Sequence, residues 1–273
     1  MHEVSIYILS KSYKFLDNLK IEDYIYFALI LQTLGVFLQS MTSHTKIFSF
    51  LFYTTNLTDI ISLDIDKFLA VAILLLVAFG VYKKNIFSFF TIFLYMLALS
   101  LISMLYGTNE SANISLLTSN IRYIVPLTIC FALMLKGRIE KKILINILKI
   151  SLSIVFFSHG LKCIFHNPQF LDYLLISYQL FDLNSLNEDV AKLNLYFIGY
   201  IDIIFSLLIF YKKTLIIGLA YMAIWGFLTA FMRNYWLFSY DGVSNFLIRS
   251  CHWIIPLAFI VNIKKREENA KVF

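Results

Sequence analysis

The residues of this chain best suited to chemistry sit where an apolar run gives way to polar side chains. The stretch Ser158-His159-Gly160-Leu161-Lys162-Cys163-Ile164-Phe165-His166-Asn167-Pro168 closes one such run with two imidazoles, an amine and a thiol. A second cluster, Arg249-Ser250-Cys251-His252, opens another. Imidazoles at these positions can bind a metal or donate hydrogen bonds to carbonyl oxygens. Two thiols, Cys163 and Cys251, can form or exchange a disulfide. On a helix His159 and Cys163 share one face, four residues apart. Cys251 and His252 are neighbours, about 100° apart around the axis, so both cannot point at one partner.

The elements that position these residues are membrane helices. The chain has 273 residues, 60% of them hydrophobic and 15% charged. Soluble domains carry about a quarter charged residues. The apolar residues also fall into runs long enough to cross a hydrocarbon core of about 30 Å. Eight spans are predicted, near 24–42, 67–82, 85–106, 121–136, 147–166, 193–211, 214–232 and 246–263. Residues 1–23 lack the apolar run and small-residue cleavage site of a secretory signal. Lys11, Lys14 and Lys20 among Ile6, Ile8, Leu9, Phe15 and Leu19 predict an interfacial helix there.

Basic residues set the orientation. Most of the 23 lysines and arginines lie in five segments: the N-terminal tail, Lys83-Lys84, Lys136 to Lys149, Lys212-Lys213 and the C-terminal tail. In an eight-span chain all five fall on one side. This predicts a multi-pass protein of the inner (cytoplasmic) membrane with both termini cytoplasmic. The net charge of +6 then belongs to the loops and not to a nucleic-acid surface. The partners expected are the lipid bilayer and a protein partner in the membrane or on its outer face.

The chain also repeats itself. Val81-Tyr82-Lys83-Lys84-Asn85 matches Phe210-Tyr211-Lys212-Lys213-Thr214, and Tyr123-Ile124-Val125-Pro126-Leu127 matches Trp253-Ile254-Ile255-Pro256-Leu257. Gly35 aligns with Gly160 and Ile73 with Asp202. Two four-span units follow, residues 1–140 and 141–273, related as a parallel repeat. Short connections make each an up-down bundle with its first and fourth helices adjacent. Residues 167–192 add an amphipathic segment, with Phe170, Leu171, Leu174, Leu175 and Tyr178 at helical spacing.

The second unit carries the runs Phe157-Ser158-His159-Gly160-Leu161-Lys162, Asn167-Pro168-Gln169-Phe170-Leu171 and Ile198-Gly199-Tyr200-Ile201-Asp202. With these runs it resembles the DoxX-like superfamily of four-helix membrane proteins. Asp202 stands where that family has an acidic residue. The resemblance implies an all-α integral membrane protein of two fused DoxX-like four-helix bundles, the first degenerate. It also implies quinone-linked sulfur-compound oxidation or a redox-associated membrane subunit.

In that topology His159 lies about two turns below the outer surface, and Arg249 and His252 lie one to two turns below it. Asp202 lies deeper, and Arg122 is the clear intramembrane charge of the first half. Ionisable residues at such depth are expensive and point to function. Four readings compete. In one, Asp202 pairs with Arg249 or His252 to hold the bundle and the cysteines fill space. In a second, Cys163 and Cys251 form a redox pair, with His159 and His252 beside them. In a third, the imidazoles and Arg249 hydrogen-bond the carbonyl oxygens of a quinone head or other small ligand, with Asp202 and Lys162 in the ligand-binding set and Trp253, Trp225 and Tyr200 as apolar walls. In a fourth, His159 and His252 hold a metal or a b-type haem. The preferred function is a redox-associated, quinone- or thiol-linked membrane protein. A non-enzymatic subunit or assembly partner comes next, then a small-molecule transporter. No P-loop, dinucleotide fingerprint, nucleophile elbow or His-Glu-x-x-His is present.

Overall fold

The computed structural model describes residues 20–55, 57–107, 112–135, 141–181, 187–237 and 240–271. The interfacial helix predicted over residues 1–23 therefore lies almost wholly outside the described residues. The elements are α1 (Ile21–Thr42), α2 (Lys46–Thr55), α3 (Asp59–Lys83), α4 (Ile86–Leu105), α5 (Ser115–Thr118), α6 (Asn120–Met134), α7 (Lys141–Ile164), α8 (Pro168–Leu180), α9 (Glu188–Leu208), α10 (Leu215–Leu237), α11 (Tyr240–Ile248) and α12 (Ser250–Lys271). A 3₁₀ turn, Ala112–Ile114, leads into α5. No strand occurs among the described residues.

Among the described residues seven helical segments, not the eight predicted, are long and apolar enough to cross a membrane. The helix that falls short is α3. Asp59, Asp64, Asp66 and Lys67 occupy its first third. Its apolar part, Phe68 to Tyr82, measures roughly 22 Å at the helical rise, less than a hydrocarbon core. It still packs along both α1 and α4.

The order long, short, long, long, short, long occurs twice, as α1 to α6 and α7 to α12. The hairpin turns follow local rules. Lys84, in the left-handed conformation at φ 50°, ends α3, and the Asn85 side chain accepts from Ser88 N–H to cap α4. His166, at φ 48°, reverses the chain after α7, and Pro168 starts α8 where no amide donor is needed.

Packing departs from the sequence expectation. Within each half, consecutive long helices pack side by side, but α1 barely touches α6 and α7 barely touches α12. The main partners of α1 lie in the other half, α11 and α12, and α6 packs against α7. The first helix of each half thus leans on the fourth helix of the other half.

Small residues permit the closest crossings, as expected where lipid offers no hydrophobic drive between helices. A β-carbon on Gly35 would lie 2.5 Å from the Ile248 amide nitrogen, so α1 and α11 touch backbone to backbone. Gly160 meets Gly199 in the same way between α7 and α9. The two glycines aligned by the repeat therefore serve different contacts. Ser250 Oγ donates to the Ala28 carbonyl at 2.8 Å, a further tie between α12 and α1. Phe89, Ile92, Ile121, Leu148, Leu152 and Ile255 fill the interior, while Phe68, Phe87, Leu193 and Phe197 cover the outside, as a lipid-facing surface requires.

Candidate functional site

The site forms where two close crossings meet. The Gly160–Gly199 contact draws α7 to α9, and Gly226 lies against the His252 carbonyl, which draws α10 to α12. Between these pairs is a cavity of about 180 Å³, covered on one side by Phe170, Tyr173 and Leu174 of α8. Its ionisable lining includes His159, Cys163, Asp202, Arg233, Arg249 and His252, with Tyr173, Ser177 and Thr229 as further polar residues. Five of those first six are predicted site residues from three distant segments, and the fold brings them around one cavity.

At one end sits Asp202. Its Oδ1 accepts a hydrogen bond of 2.6 Å from the Tyr221 hydroxyl. Phe205 and Trp225 lie against the same Tyr221 ring. At the other end sits Arg233, twelve residues further along α10 and so about 18 Å away along the axis. Its guanidinium lies over the Tyr173 ring, 5.2 Å from the centroid. Between them His159 stacks on Phe170, with centroids 5.9 Å apart, and faces His252 at 6.1 Å.

Several of these groups are buried without a partner. His159 Nε2, both ring nitrogens of His252 and Arg233 Nη1 make no hydrogen bond among the described residues. The Thr118 carbonyl lies near His252 without meeting hydrogen-bond geometry. Buried polar atoms are nearly always paired, so such a group needs an explanation. Arg122 and Lys162 are close enough for their charges, with that of Arg233, to bear on His159. Arg122, Lys162 and Arg233 form no ion pair among the described residues.

The remaining predicted site residues lie elsewhere. Tyr200 is 58% exposed on the outer side of α9 and cannot wall the cavity. Trp253 packs between Phe227 and Phe246, with centroids 5.3 and 5.9 Å away, and Trp225 is the tryptophan of the cavity. Lys162 lies one residue off the lining face. Cys251 is fully buried beside Arg122, outside the cavity. All three cysteines are free. The expected pairing of Cys163 with Cys251 is corrected by the fold, because Cys163 lies against Gly199 of α9 while Cys251 lies beside Arg122 of α6. The expected pairing of Asp202 with Arg249 or His252 is corrected too, since its partner is Tyr221.

The two imidazoles, His159 and His252, are the pair expected to hold a metal or a b-type haem. Among the described residues no group of three or more His, Cys, Asp or Glu could hold a metal ion. The surrounding charges are cationic and would oppose one.

Sequence reasoning also missed Asp66, fully buried on α3. Its carboxylate accepts from the Thr45 amide at 2.8 Å, from Ser40 Oγ at 3.2 Å and from Thr45 Oγ1 at 2.5 Å. The first half thus has a buried carboxylate after all, but it anchors the turn between α1 and α2. Tyr173, Tyr221 and Arg233 were also missed as site residues. For Arg233 the available signal was a guanidinium near the end of an apolar run.

No protein-family model, no curated protein and no solved structure matches this chain.

Proposed function

We propose that this chain is a membrane-embedded binding subunit for a small amphiphilic molecule, taken head-first into the cavity between α7, α9, α10 and α12. One observation carries this reading: buried, unpaired polar atoms on His159, His252 and Arg233 belong to residues that line a largely apolar cavity. Ligand pockets have this composition, apolar walls with a few convergent polar groups. Leu228 lines the cavity and is also 43% exposed, so a tail could leave toward lipid at that wall.

The DoxX-like resemblance of residues 150–260, and the redox association that comes with it, fit this reading through a quinone head. Its carbonyl oxygens would use the same donors. A thiol-linked reaction is the weaker form, because Cys163 and Cys251 face different neighbours. The twofold order of elements supports a tandem duplication, with the binding half second. The basic hairpins at Lys83-Lys84 and Lys212-Lys213 support a cytoplasmic side for both termini and, with it, a cavity in the outer leaflet.

The test is direct. The protein is purified in a neutral detergent and extracted with organic solvent, and the extract is identified by mass spectrometry against that of a His252→Leu, Arg249→Gln protein. An amphiphile present in near-stoichiometric amount with the first and lost with the second is expected. The same lipid extract from both proteins would remove the reading.

A further inference from the structure

We infer that the group held at the arginine end of this cavity is an oxyanion, a phosphate monoester carried on an apolar chain. The inference rests on the cavity being a ligand site and names the chemistry of the head group.

The reasoning starts from charge. Arg233 and Arg249 line the cavity, and Arg122 and Lys162 lie close behind it. Arg233 is only 5% exposed and its Nη1 has no acceptor. Arg122 Nε is likewise buried and unpaired. A buried guanidinium stays charged and is costly to leave uncompensated. The one carboxylate in the lining is Asp202, and it is at the far end, held by Tyr221. Among the described residues, several cations thus gather at the arginine end of one small space with no anion beside them to balance them.

The donor set discriminates between head groups. A quinone carbonyl accepts through one neutral oxygen and leaves the arginine charges unbalanced. A phosphate monoester offers three terminal oxygens and up to two negative charges. It can take paired N–H groups from an arginine and further hydrogen bonds from His159 and His252. The apolar part of the lining, with Phe156, Leu195, Ile198 and Leu228, suits an alkyl chain.

The experiment uses the purified full chain in a neutral sugar detergent. Three probes are added separately: dodecyl phosphate, inorganic phosphate, and dodecanol. Binding is read by the shift in melting temperature and by native mass spectrometry. Dodecyl phosphate is expected to bind and dodecanol to bind far more weakly. Arg233→Gln should weaken dodecyl phosphate roughly thirtyfold, and Arg233→Lys should restore part of the loss. Arg249→Gln, at a half-buried position between α11 and α12, should also weaken binding and guards against a fold defect at Arg233. Binding of dodecyl phosphate alone makes the source a lipid phosphate. Binding of inorganic phosphate as well makes the anion itself sufficient. Equal binding of dodecanol and dodecyl phosphate, or indifference to both arginine changes, overturns the oxyanion and leaves the ligand site standing. No binding of any probe overturns both.

Discussion

A β-carbon placed on Gly160 would lie 2.7 Å from the carbonyl oxygen of Gly199, and one on Gly199 would lie 2.7 Å from the carbonyl oxygen of Gly160. This reciprocal contact sets the distance between α7 and α9. It thereby sets where His159 and Cys163 stand relative to Asp202. The obstacle on each side is backbone, which cannot rotate away as a side chain can.

Gly199→Val is accordingly expected to lower stability by about 1–3 kcal/mol or more, as over-packing does, and to disturb the cavity at the same time. Apparent melting in detergent measures the first effect. Tyr200→Ala, one residue away on the lipid side, should melt close to the parent protein. Equal melting of all three proteins would mean that α7 and α9 do not cross here.

The hydrogen bond from Tyr221 to Asp202 predicts a specific coupling. Tyr221→Phe removes the hydrogen bond donated to Asp202 Oδ1 and should cost about 1–3 kcal/mol, since a buried carboxyl loses a donor. In a double-mutant cycle Tyr221→Phe and Asp202→Asn should couple by about 1 kcal/mol. Asp202→Asn and Arg249→Gln should be additive within a few tenths. A strong coupling in the second cycle and none in the first would restore the arginine as the partner of Asp202.

Much of this fold was legible because lipid leaves the chain few options. Backbone groups in hydrocarbon must be paired internally, so apolar runs become helices, and their ends are marked by Lys83-Lys84, Asn85, Pro168 and Lys212-Lys213. The residues that line the cavity were legible for the same reason, as His159, Asp202, Arg249 and His252 are costly among apolar neighbours. Helix adjacency was not legible. The repeat implies two self-contained bundles, but Gly35 packs on Ile248 and Ser244 of the opposite half, and nothing local in the sequence distinguishes that crossing from one with its own fourth helix. Register around the axis was the other gap. Tyr200 and Asp202 are two residues apart on α9, which places them far apart around it. One faces lipid and the other the cavity, and hydropathy alone does not separate them.

Asp66 supplies a prediction for the first half. Asp66→Leu removes the acceptor for the Thr45 amide, Thr45 Oγ1 and Ser40 Oγ together. Three buried donors then lose a charged partner, and the loss should be about 3 kcal/mol or more. Asp66→Asn keeps acceptor capacity and should cost less. Melting that ranks the parent first, Asp66→Asn next and Asp66→Leu last is expected. Near-equal melting of the parent and Asp66→Leu would remove Asp66 as the anchor of α2 and α3.

The cysteines give the last prediction. A disulfide needs Cα atoms within about 7 Å and β-carbons directed at each other. Cys163 is on α7, and its β-carbon lies 3.1 Å from the point where a β-carbon of Gly199 would sit, so it faces α9. Cys251 is on α12, beside Arg122 of α6. These two helices make only slight contact, and the thiols point to different neighbours. Oxidising surroundings cannot join them without moving α7 or α12. Thiol labelling of the denatured, non-reduced protein should therefore find all three cysteines reactive. The folded protein should label slowly, because Cys130, Cys163 and Cys251 are all buried. Cys251→Ala should leave ligand binding unchanged, whereas Cys163→Leu, which adds volume to a cavity wall, should weaken it. Two labelled thiols fewer than three cysteines require, at positions 163 and 251, would show that α7 and α12 meet in a way this fold does not contain.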